Sequence, residues 1–121
     1  MRCFCYYNLH RKTWSIKALE GPDKGRVVLH SDHVLLEHAA PKVSEKGRQR
    51  VLREKRKNVH AGIVGTLVST LAPQYYTIPE GAPEMSYNPY KGPTFYYRES
   101  GEAWTTQSEF VLLTGKKVYL I

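Results

Sequence analysis

Arg53, Arg56 and Lys57 stand just ahead of Asn58-Val59-His60, so cationic side chains are followed within a few residues by a titratable imidazole. Guanidinium forks hold phosphate oxygens bidentately, and an ammonium adds charge without demanding geometry. Arg50, Arg53, Arg56 and Lys57 are therefore the candidate phosphate contacts, with Asn58 beside them. The imidazole allows a second chemistry. A metal-independent ribonuclease needs a base near the 2′-hydroxyl, an acid for the leaving oxygen and cations on the scissile phosphate. His60 is the candidate catalytic residue, as base or acid, with Arg53, Arg56 or Lys57 stabilising the developing charge and Tyr90, Lys91 or Thr94 completing the site. The competing reading of His60 is a helix-terminal histidine that satisfies the last carbonyls.

These cations belong to a local block. Residues 42–57 hold eight basic side chains against two acidic ones, Glu45 and Glu54, whereas residues 1–41 carry six against four and residues 58–121 four against five. Nearly all of the net charge of +7 is thus concentrated in one segment. Concentrated charge implies an anionic partner more strongly than the same charge spread over the surface, because a merely solubilising helix intersperses both signs.

A second feature lies in residues 72–103, which hold most of the prolines and six of the nine tyrosines. So long a segment without regular structure is uncommon unless it serves a site, and its aromatic content argues against disorder. Bases splayed from a single strand stack on tyrosine while a basic groove tracks the backbone. Tyr75, Tyr76, Tyr87, Tyr90, Tyr96 and Tyr97 are the stacking candidates. Adjacent pairs such as Tyr96 and Tyr97 also suit a strand with one ring in the core. Tyr87, Asn88, Tyr90 and Lys91, around Pro89 in an expected turn, are the loop residues least easily explained as core.

Other chemistries are poorly served. Cys3 and Cys5 share one face of a strand, where a bridge across a single residue would be strained, so reduced structural thiols are expected. His30, Asp32, His33 and His38 have ligand chemistry, but His30 and His33 face opposite ways on a continuous strand, and no metal site is expected. Walker, dinucleotide-binding and nucleophile-elbow motifs are absent from the sequence, and no cofactor is expected. No apolar run reaches the roughly 18 residues that span a bilayer. The first seven residues lack the long apolar region of a signal peptide, so no membrane partner and a cytosolic location are expected.

The elements that must position these residues follow from patterning. Arg2–Leu9 and Thr13–Leu19 alternate as the arms of a hairpin, with Trp14, Ile16 and Ala18 on one face. The Gly21–Gly25 turn leads to a strand at 26–30, Ser31-Asp32 breaks it, and a fourth strand covers 33–39 with Pro41 closing it. Ser44 is a plausible N-cap and Glu45 suits a first turn, which predicts a helix from about 45 to about 57 with Gly62 able to end it. Val51, Leu52 and Val59 would gather on its inner side, and Arg50, Arg53 and Lys57 would form an outward stripe. A buried strand at 63–71, a short strand at 94–98 and a hairpin turning at Gly115-Lys116 complete one domain. The fold class is α+β, a mostly antiparallel sheet with one central basic helix; whether the sheet curves or closes halfway into a barrel is left open.

The segment from Arg53 to Gly62, with Arg56-Lys57-Asn58-Val59-His60-Ala61-Gly62 at its centre, and the segment Tyr87-Asn88-Pro89-Tyr90-Lys91-Gly92-Pro93-Thr94-Phe95 resemble small uncharacterised proteins of tailed bacteriophages. The resemblance covers most of the chain from about residue 7. It implies a viral source, hence the host cytoplasm as location, and carries no activity. From the residues, the expected function is binding of nucleic acid, RNA or single-stranded DNA, or of a phosphorylated small molecule, through the basic helix and the Tyr/Pro-rich loop. The alternatives are the His60 ribonuclease and a non-enzymatic inhibitor or sequestering protein directed at a nucleotide or a host protein.

Overall fold

The computed structural model describes residues 1–71 and 78–121. Among these residues nine strands form one sheet, and a single helix connects the fourth strand to the fifth. In chain order they are β1 Arg2–Asn8, β2 Thr13–Ala18, β3 Val27–Ser31, β4 His33–Val43, helix α1 Glu45–Glu54, then β5 Ala61–Ser69, β6 Glu84–Ser86, β7 Tyr96–Tyr97, β8 Ser108–Thr114 and β9 Lys117–Leu120. Their order across the sheet is β3-β2-β1-β5-β4-β8-β9-β6-β7, and the paired neighbours are all antiparallel. The α+β class and the antiparallel sheet agree with the sequence reading. Among the described residues no helix is long and apolar enough to cross a membrane.

The hairpin of β1 and β2 shows how the pattern becomes a core. Cys3 and Cys5 project to one side and are fully buried beside Trp14 and Ile16. Their sulfurs lie 3.7 Å apart as free thiols. The neighbouring Cys3 sulfur, together with burial, pushes the Cys5 thiol upward, so Cys5 stays protonated. From the other half of the sheet Val34, Leu36, Val111, Leu113 and Val118 join the same cluster. Trp14 reaches across it, its indole Nε1 donating to the Gly115 carbonyl at 2.7 Å in the β8–β9 turn.

The strand expected at 94–98 narrows to Tyr96–Tyr97, that expected at 63–71 runs from Ala61 to Ser69, and other boundaries depart more instructively. Pro41 does not close β4, which runs on to Val43 with Pro41 opposite Ile63. The pairing of β4 with β8 ends at Ala39, so the missing N–H of Pro41 falls where one side of the strand is no longer paired. The helix stops at Glu54 rather than near Lys57, because Lys55 takes a left-handed conformation (φ 55°) and returns its N–H to the Val51 carbonyl. Gly62 does not end the helix; it lies inside β5, opposite Lys42.

Candidate nucleic-acid interface

Ser44 caps α1, its hydroxyl accepting from the Gly47 N–H at 3.1 Å, and Glu45 occupies the first turn. Val51 is the buried anchor and Leu52 is half-buried, whereas Val59 lies beyond the helix and is exposed, not on its inner side. Arg50 and Arg53 face outward on the helix. Lys57 is exposed too, but on the extended segment that follows, so the expected stripe of Arg50, Arg53 and Lys57 is not a single helical face.

Helix and loop meet through Arg48, and His60, just ahead of β5, makes a second contact to the loop. Arg48 donates through Nε to the Pro89 carbonyl at 2.8 Å and through Nη1 to Glu45 Oε1 at 2.7 Å. His60 places Nε2 at 2.7 Å from the Tyr87 hydroxyl, while Nδ1 lies 2.9 Å from Asn58 Oδ1 and 3.1 Å from the Asn58 carbonyl. A carbonyl only accepts, so Nδ1 carries the proton and Nε2 accepts from Tyr87 in the neutral ring. Burial pushes the Tyr87 phenol upward, opposed by the Arg48 charge and assisted by Glu45, which keeps the hydroxyl a donor. The Glu45 carboxyl is held below the usual range by the Gln49 amide and by Arg48.

Tyr87 continues inward as a ladder of rings. It stacks on Phe95 at 5.1 Å between centroids, and Phe95 meets Trp104 edge-on at 6.2 Å. Each such pair contributes about 0.5–1.5 kcal/mol beyond simple burial, enough to fix the start of the loop against the core. Gly47 lets the helix approach His60, since a Cβ there would lie 2.6 Å from the Cβ of His60.

The remaining expected residues divide by exposure. Asn88 is half-buried and shapes the turn, its Oδ1 accepting from the Tyr90 N–H at 2.9 Å and its carbonyl from the Lys91 N–H. Tyr90 is 61% exposed. Lys91 sits over the Tyr96 ring at 5.6 Å. Arg50 is paired with Glu54 at 3.0 Å, an exposed contact worth about 0.3–0.5 kcal/mol. Among the described residues Lys46, Arg53, Lys55, Arg56 and Lys57 are exposed with no carboxylate in ion-pair range. Tyr96 and Tyr97 form β7 and are half-buried; Tyr75 and Tyr76 lie outside the described residues. The basic count pointed to Arg48 only as one cation among eight. Its acceptor, the Pro89 carbonyl, lies 41 residues away in a segment that no local pattern couples to it.

A family described as Mycobacterium phage L5 gene 82 protein matches residues 1–121. The chain belongs to this family. The "Gene 82 protein" of Mycobacterium phage L5 is 46% identical to it over 126 residues, covering 99% of this chain and 90% of that relative. The likeness to phage proteins read from the segments around His60 and Pro89 is borne out at the level of the gene 82 family. No solved structure matches the chain.

Proposed function

We propose that this gene 82 family member binds single-stranded nucleic acid in the host cytoplasm through α1, the basic segment 55–57 and the turn at 87–91. The observation that carries the reading is the contact of Arg48 with Pro89, joined by that of His60 with Tyr87, which brings the turn bearing exposed Tyr90 to a helix where Lys46 and Arg53 have no carboxylate in ion-pair range among the described residues. A single strand offers phosphates to Arg50, Arg53, Arg56 and Lys57 and a base face to Tyr90, with Lys91 at the edge. Unlike a nucleotide or a single phosphorylated molecule, a polynucleotide engages several cations at once, which suits a block extending along a helix and the strand-like segment after it.

We read the supporting sheet as curved, towards a half-open barrel. Asp32 alone joins β3 to β4, although the strand order puts four spacings of about 4.8 Å between them, more than one residue spans on a flat sheet.

His60 enters this reading as a positioning residue. Both ring nitrogens are engaged, so acting as a base on a 2′-hydroxyl would require breaking the bond to Tyr87. Incubation of the protein with labelled single-stranded RNA and DNA, with and without EDTA, reads shift and cleavage on one gel. A salt-sensitive shift without cleavage supports the binding function. Cleavage that survives EDTA and disappears in His60→Ala would replace it with a ribonuclease, and neither shift nor cleavage would direct attention to a nucleotide or host-protein target.

A further inference from the structure

Strand β3 forms one end of the sheet, with β2 on one side and no strand on the other among the described residues. Edge strands of monomers are ordinarily blunted by charge, proline or brevity, since their open N–H and C=O groups template further pairing. Here the strand is Val27-Val28-Leu29-His30-Ser31, and its three apolar residues are each 40% exposed. Charges stand only at its two ends, Arg26 before and Asp32 after. Both are exposed, and neither has an ion-pair partner among the described residues.

We infer that β3 is a homodimer interface, in which the β3 edges of two copies pair antiparallel about a two-fold axis at Leu29. An isologous contact brings each residue against its mirror position, so the strand must complement itself when reversed. With Leu29 opposite Leu29 of the second copy, Val27 faces Ser31, Val28 faces His30, and Arg26 faces Asp32 at both ends. That charge complementarity selects a second copy over an unrelated strand. A register shift between Ile16 and Lys17 places a bulge on β3 near Val28, and the long Arg26 side chain spans the small displacement it introduces. Pairing two edges would extend one sheet through both protomers and give the dimer two basic faces, independently of what those faces bind.

Sedimentation equilibrium at low ionic strength tests this on the whole chain, with circular dichroism confirming that each variant is folded. The wild type is expected at twice the monomer mass of 13.9 kDa. Arg26→Asp and Asp32→Arg, each opposing like charges at both ends, should weaken the dimer about tenfold, and the double exchange should restore it. A monomeric wild type, a dimer indifferent to the single exchanges, or a double exchange that fails to restore pairing would each overturn the assignment.

Discussion

His60 Nε2 and the Tyr87 hydroxyl lie 2.7 Å apart, joining the start of β5 to the loop after β6 across 27 residues of sequence. The ring on the far side of Tyr87 is Phe95, so the bond fastens the residues after the helix to the aromatic ladder that enters the core. Through it the chain just beyond the basic segment is tied to the loop that carries Tyr90.

Tyr87→Phe removes the donor while keeping the ring stack. Loss of the bond leaves the half-buried Nε2 without its partner, and stability should fall by about 1–2 kcal/mol in urea unfolding. His60→Ala should fall further because packing is lost as well. The double variant should show about 1 kcal/mol of coupling, whereas strict additivity would mean that the bond contributes nothing.

Gly47→Ala sets two effects of opposite sign against each other. Helix propensity alone would stabilise the protein by about 1 kcal/mol. The new Cβ, however, would lie 2.6 Å from His60 Cβ, next to the β5 backbone rather than at the tip of a mobile side chain. Overpacking of this kind costs about 1–3 kcal/mol, so net destabilisation is expected, with a lower Tm. Gly62→Ala should be worse, since its Cβ would meet the Cys5 carbonyl at 2.3 Å. An unchanged or raised Tm for either variant would show that the approach is not tight.

These two glycines also mark where the sequence stopped being legible. Gly47 reads as a weak point in a helix and Gly62 as a helix end, because both roles are local. Their actual roles are close approaches to residues distant in sequence or in another strand. The hairpin of β1 and β2, the Ser44 cap and the Gly115 turn were readable because each is decided within a few residues. The early end of the helix was not, since Lys55 adopts a left-handed conformation ordinarily left to glycine or asparagine. The outer cations of the candidate site were legible as composition. The contacts of Arg48 and His60 with the loop depend on tertiary packing, which no spacing encodes.

Acid and alkali should both weaken this junction, through different groups. The Glu45 carboxyl is lowered in the folded protein, so its contribution is present above the unfolded value and lost as pH falls through the lowered one. Tyr87 is raised, so its contribution is present below the ordinary phenol value of 10.0 and lost as pH rises through the raised one. Urea midpoints measured across pH should therefore show an acid loss that shrinks in Glu45→Gln and an alkaline loss that shrinks in Tyr87→Phe. Identical profiles in variant and wild type would separate these groups from the fold's pH response.

The binding proposal rests on exposed cations that do no structural work, and salt-dependent affinity addresses that most directly. Fluorescence anisotropy with labelled single-stranded RNA and DNA would compare the wild type with Arg53→Ala/Arg56→Ala/Lys57→Ala across a range of salt. The account predicts weaker binding by the triple variant at moderate salt and an unchanged Tm. The slope of log affinity against log salt should be shallower by about two, as expected when three contacts to a single strand are lost. Equal affinity and equal slope in the two proteins would contradict it.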